Sequence, residues 1–187
     1  MAVLTWENLA VVLAIAYLLL AMREHILCWV AAFLSTAIYT VVFWNVSLVM
    51  ESALNVFYMG MAVYGWMQWT RGGEPGGEAV EIHTWSWKTH VQLVAAILVL
   101  TAVVGYLISG TGAARPYVDS FTTVASVFTT VMVARKVLEN WLYWIVIDAI
   151  SIWLYLDRGL ESTAGLFVLY VVLAGVGFVQ WRGRLVD

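Results

Sequence analysis

The sequence predicts an all-α membrane protein of seven transmembrane helices, and three observations carry that prediction. Of the 187 residues, 63% are hydrophobic and only 11% are charged, too little polar surface to cover a water-soluble globule of this length. The apolar residues fall in runs of about 20, the length a helix needs to cross the ~30 Å hydrocarbon core, and the alternation expected of a membrane barrel is absent. The third observation is an internal repeat, in which one half of the chain matches the other at a fixed offset of 112 residues.

Seven runs qualify as spans: 3–22, 26–44, 48–69, 91–109, 117–134, 138–156 and 160–181. The first carries Glu7 and Asn8 and leads straight into the second, so it reads as an anchor rather than a secretory signal. The second begins near Cys28, the single cysteine; it has no intrachain disulfide partner and is expected to pack in or near the inner leaflet. The third closes on "YGWMQW" (64–69). Residues 70–90, "TRGGEPGGEAVEIHTWSWKTH", hold the Gly/Pro cluster and much of the acidic charge, the signature of a cytoplasmic linker. The fifth, "DSFTTVASVFTTVMVARK", is rich in Ser and Thr. Its Asp119, Thr123, Ser126 and Thr130 share a face, and packing through interhelical hydrogen bonds is expected of its hydroxyls, with Thr123 or Ser126 as candidate ligand contacts. The chain thus reads as a first three-helix bundle (1–69), a linker (70–90), a connecting helix with its outer loop (91–116) and a second three-helix bundle (117–187).

Orientation follows from the cationic residues. With the N-terminus outside, Arg23, Arg71, Lys88, Arg135, Lys136, Arg182 and Arg184 lie inside and only Arg115 and Arg158 outside, a positive-inside bias for N-out, C-in that requires an odd number of spans. The net charge of −3 gives no footprint for nucleic acid.

The repeat pairs "LNVFYMGMAVYGWMQW" (54–69) with "LFVLYVVLAGVGFVQW" (166–181), identical at seven of sixteen positions, and the same register pairs Arg23 with Arg135 and Trp29 with Trp141. An offset of 112 residues crosses three helices plus a fourth, an even number, so the two copies run parallel. Two like-oriented bundles joined by one inverting helix, 3+1+3, is an arrangement of transporters that bind substrate between their halves.

The residues also resemble a known family. "YGWMQW" is similar to the Tyr-Gly-Trp-x-x-Trp, and "RKVLENWLYWIVIDAIS" (135–151) to the Arg-Lys-x-x-Glu-Asn-Trp-x-x-Trp, of the Pnu-type bacterial vitamin transporters, with nicotinamide riboside (PnuC) and thiamine (PnuT) members. The resemblance runs over nearly the whole chain. It implies a SWEET-like fold, a homotrimer in the bacterial inner membrane and facilitated diffusion, with a cytosolic kinase trapping the vitamin downstream without required contact. It implies no cofactor. The chain departs from the nicotinamide riboside pattern, which often has Asn where Asp148 stands and Gln where Asn55 stands.

The candidate binding residues follow from physics and resemblance together. Asp148 lies about ten residues into its span, where a carboxylate costs roughly 2.5–3.5 kcal/mol to insert. Trp141, Trp144 and Asp148 fall within about 60° around a helix, and Asn55, Tyr58, Ala62, Trp66 and Trp69 make a similar stripe on the third span. Aromatic walls with one carboxylate suit a flat cation, each ring contributing roughly 0.5–2 kcal/mol. Thiamine's aminopyrimidine can donate to a carboxylate, which puts thiamine ahead of nicotinamide riboside. Asn140 is expected either as a ligand or as a helix cap. Trp69 and Trp181 suit an interfacial belt, with Trp69 and Glu51 as gate or interface residues. No Ser/His pair, HExxH or paired aspartate lies at membrane depth, which argues against an enzyme. The reading of another class is a non-transporting membrane assembly or signalling protein.

Overall fold

The apolar runs are helical almost end to end. A computed structural model of the chain describes residues 2–45, 49–70, 80–111, 115–157 and 161–185. Among them are α1 (Ala2–Met22), α2 (Leu27–Asn45), α3 (Val49–Thr70), α4 (Trp87–Ile108), α5 (Pro116–Ala134), α6 (Asn140–Asp157) and α7 (Glu161–Arg182). Four helical stretches, Leu27–Asn45, Trp87–Ile108, Pro116–Ala134 and Ala164–Arg182, are long and apolar enough to cross a membrane by length and composition, and Trp6–Met22 is a shorter apolar stretch. Large apolar side chains such as Val12, Trp44, Trp87 and Val179 are more than half exposed, as a hydrocarbon solvent permits and water does not.

The chain packs as two units, Met1–Glu81 and Ile82–Asp187. In the first, α1 packs on α2 and α2 on α3; in the second, α4 packs on α5, α5 on α6 and α6 on α7. Helix α4 begins at Trp87 rather than at residue 91. Ser86 caps it, its hydroxyl accepting from the Thr89 N–H at 3.3 Å, which satisfies one of the orphan donors of the first turn. The strand-like residue His83 is tied to the α5–α6 turn, its N–H donating to the Lys136 carbonyl at 3.2 Å and its carbonyl accepting from Leu138 at 2.8 Å. Helix α5 opens on Pro116, where a missing N–H costs nothing.

Several local arrangements recur 112 residues apart, each inside its own unit. Helix α1 ends with Glu24 at φ 55° and α5 ends with Lys136 at φ 53°. His25 N–H reaches the Leu20 carbonyl and Glu24 N–H the Ala21 carbonyl, just as Val137 reaches Met132 and Lys136 reaches Val133. Both are Schellman ends, built with a non-glycine residue in the left-handed region. Farther along, Trp29 meets Trp69 edge to face at 5.3 Å and 83°, and Trp141 meets Trp181 at 5.4 Å and 88°. Gly65 lies against the Trp29 indole and Gly177 against the Trp141 indole, so closely that a methyl group at either glycine would overlap the ring. Ala62 and Ala174, also 112 apart, are both buried.

The two units satisfy hydroxyls differently. Ser35 donates across to the Ala10 carbonyl of α1 at 2.8 Å, and Ser52 to the Thr40 carbonyl of α2 at 2.9 Å. On α5, Ser120, Thr122, Thr129 and Thr130 instead bond carbonyls of their own helix, at 2.7–3.3 Å. The interhelical bonding expected of α5 is therefore not how these four hydroxyls are used; backbone carbonyls three or four residues back are the nearer acceptors. Cys28 is fully buried and forms no disulfide, in keeping with a packing role.

Candidate functional site

Helix α6 brings together the groups of greatest chemical interest. The tight turn at Lys136 starts it, so that Asn140, its first residue, is wholly buried. The Asn140 amide donates to the Val137 carbonyl at 2.6 Å, while its Oδ1, also buried, has no hydrogen-bond partner among the described residues. It is thus not the accepting cap of an N-terminus, which would use that oxygen. One residue on, Trp141 is buried by Gly177 and Trp181, and its Nε1 is a second buried group without a partner among the described residues. Trp144 is partly buried and packs on the cluster of Ile97, Ala125 and Ile147 that joins α4, α5 and α6. Two turns beyond Asn140 stands Asp148, 6% exposed. Its carboxylate makes no hydrogen bond or ion pair among the described residues. Asn140, Trp144 and Asp148 lie within about 80° of one another around the helix axis at 100° per residue.

The other expected residues are placed less evenly. Ser126 is half-buried, whereas Thr123 is exposed on α5. On α3, Asn55 and Tyr58 are half-buried and engaged in contacts of their own. Trp66 is 37% exposed and borders an apolar groove with Trp29, Phe33 and Ala62 inside the first unit, a place with few polar groups for a ligand. Trp181 is not a belt residue. It is completely buried, because the edge of its indole fills the space beside Trp141; Trp69 holds the matching place beside Trp29. The Glu51 side chain lies outside the described residues. Gln180, on α7 beside Trp181, was not singled out from the sequence, yet its Oε1 is buried without a partner among the described residues. The signal was present, since Gln180 matches Gln68 at the repeat offset.

The second unit therefore contains a carboxylate, two amide oxygens and an indole N–H, all buried and unsatisfied by the described residues, in a chain built to lie in hydrocarbon. Buried polar groups left in this state are costly in a fold alone, and an ionisable group at membrane depth points to function; Trp29 Nε1 and Thr101 Oγ1 are likewise buried without a partner among the described residues. No group of three or more His, Cys, Asp or Glu able to hold a metal ion occurs among the described residues.

Comparison with known proteins agrees. Residues 4–183 match the nicotinamide mononucleotide transporter family. The chain belongs to this family. Among its relatives, the riboflavin/roseoflavin transporter RibM of Streptomyces davaonensis is 25% identical over 173 residues, covering 91% of this chain and 81% of that protein. The nicotinamide riboside transporter PnuC of Escherichia coli is 22% identical over 204 residues, covering 95% and 85%. The crystal structure of the vitamin B3 transporter PnuC superposes with a TM-score of 0.75 at 24% identity, covering 96% of this chain and 81% of that one. The protein is accordingly a transporter of this family, a multi-pass protein of the bacterial inner membrane and not an enzyme. Membership displaces the reading as a non-transporting assembly or signalling protein.

Proposed function

We propose that the chain mediates facilitated diffusion of a flat, cationic B vitamin, with Asp148, Asn140 and Trp144 among its recognition groups. The observation that carries this reading is Asp148, buried and without a hydrogen bond or ion pair among the described residues. A cation in the site offsets the roughly 2.5–3.5 kcal/mol cost of a carboxylate at this depth, and an aromatic neighbour adds to the attraction. Nicotinamide riboside, with its pyridinium, is the first substrate to test, because the PnuC relatives are named for it. Thiamine is the second. The carboxylate favours it through the aminopyrimidine donors, and taken alone that argument put it first. Riboflavin, named for RibM, is uncharged and gives Asp148 no cation to meet.

The wider frame belongs to the same proposal: a SWEET-like 3+1+3 fold of parallel repeats, N-out and C-in, assembled as a homotrimer, with a cytosolic kinase acting on the delivered vitamin. The recurrence of helix ends and indole–glycine contacts at 112-residue spacing supports the repeat.

Calorimetric titration of the purified protein with nicotinamide riboside, thiamine, riboflavin and their phosphates tests the substrate. Binding of a cationic vitamin, with its phosphorylated form rejected, is the expected result; tight binding of riboflavin alone would remove the role given to Asp148. Uptake into vesicles under an imposed pH gradient tests the mode of transport, and accumulation above the outside concentration would show coupling to protons instead of diffusion.

A further inference from the structure

The start of α4 is joined to α6 by polar groups for which the transport reading has no use. The Trp85 N–H donates to Glu139 Oε2 at 3.4 Å. His90 Nδ1 lies 3.0 Å from the Tyr143 hydroxyl, and the two rings stack at 5.8 Å and 25°. His90 Nε2 is 3.7 Å from Glu139 Oε1, whose side chain is 21% exposed. These groups and the exposed Trp87 wall one end of a groove of about 810 Å³. From there it runs between α4 and α6, over the half-exposed Val94, Leu98 and Leu142. An adjoining recess of about 300 Å³ shares those residues and reaches Phe121 and Ile147 with almost no polar surface. From Trp87 to Leu98 the helix rises about 17 Å at 1.5 Å per residue, close to the ~15 Å depth of one leaflet.

We infer that this groove holds one phospholipid with a primary-ammonium head group, its head at Glu139 and an acyl chain along Val94 and Leu98. The shape requires a molecule that is polar at one end and apolar for the length of a leaflet, which excludes a soluble vitamin. Among the described residues Glu139 is the one carboxylate lining the groove, so charge complementarity calls for a cation, and the rings of Trp85, Trp87 and Tyr143 favour the same charge. The phosphate beside that ammonium falls at the first turn of α4, which opens at Trp87 on the groove wall and where a helix N-terminus attracts anions. The inference does not rest on the identity of the vitamin.

Native mass spectrometry of the whole protein in detergent, given phosphatidylethanolamine or phosphatidylglycerol, tests it. One phosphatidylethanolamine is expected to remain bound, preferred about tenfold, and Glu139→Gln should bring the two lipids to parity. Leu98→Trp, which fills the groove two turns beyond His90, should lose the lipid while the melting temperature in lipid-free detergent stays within ~2 °C; it answers the question if Glu139→Gln does not fold. Absence of retained lipid, equal retention of both lipids by the native protein, or a Val94→Cys variant that cross-links to a second copy of the chain would each overturn the inference, the last by giving the groove a protein occupant.

Discussion

Replacing Asp148 by Asn is the sharpest test of the site, because binding and stability should move in opposite directions. The substitution preserves shape and removes a charge. At about 4 Å and an effective dielectric of ~20, the attraction between Asp148 and a bound cation is about 4 kcal/mol, and part of it is returned as desolvation. Truncating one member of such a buried pair costs about 2–5 kcal/mol in measured complexes. A loss of ~2–3 kcal/mol weakens the dissociation constant by roughly 30–150-fold. In the empty carrier the carboxylate has no partner among the described residues to lose, and an amide is cheaper to bury. The melting temperature should therefore hold or rise by a few degrees, ~2–4 °C per kcal/mol at this chain length. Titration calorimetry and thermal unfolding in one detergent measure both. Affinity kept within about twofold, or a melting temperature that falls along with affinity, would refute the reasoning and make Asp148 a structural group.

Other expectations concern the scaffold. Gly65→Ala and Gly177→Ala each put a methyl group into an indole, Trp29 or Trp141, and each should cost about 1–3 kcal/mol, read as a lowered melting temperature in both variants. Glu24→Gly and Lys136→Gly relieve a left-handed backbone and should each stabilise by about 1 kcal/mol in the same assay. Arg115 makes two 3.0 Å bonds to Asp157 and sits 5.2 Å from the centre of the Trp153 ring. Its side chain is 46% exposed, so Arg115→Gln should cost less than about 1 kcal/mol, and the loss should shrink as salt is raised.

Helix positions were legible in the sequence because an apolar run long enough to span has few other structures open to it in a bilayer. The start of α4 was not: a hydropathy window cannot see that Ser86 caps a helix whose first turn holds Trp87 and Lys88. For Trp181, a tryptophan at a helix end suits both an interface and a core. The deciding feature was a glycine four residues earlier, Gly177, which opens room for Trp141 and brings it under the edge of Trp181. The pattern of hydroxyls on α5 does not say whether a hydroxyl turns outward or back to its own carbonyls, as Thr129 and Thr130 do. Asp148 and Asn140 stood out because a lone carboxylate and a buried amide are expensive wherever they fall in such a helix. The residues 112 positions earlier are Thr36 and Cys28, and the candidate recognition chemistry thus lies where the matching stretches differ.

Two indoles seated on bare backbone make each unit intolerant of added bulk at one spot. Constraint on shape acts alike at Gly65 and Gly177, whereas the residues 112 apart differ in chemistry, Cys28 against Asn140 and Thr36 against Asp148. Packing joints that recur in this way let one unit carry polar chemistry that the other lacks while both keep the same glycine-seated indole.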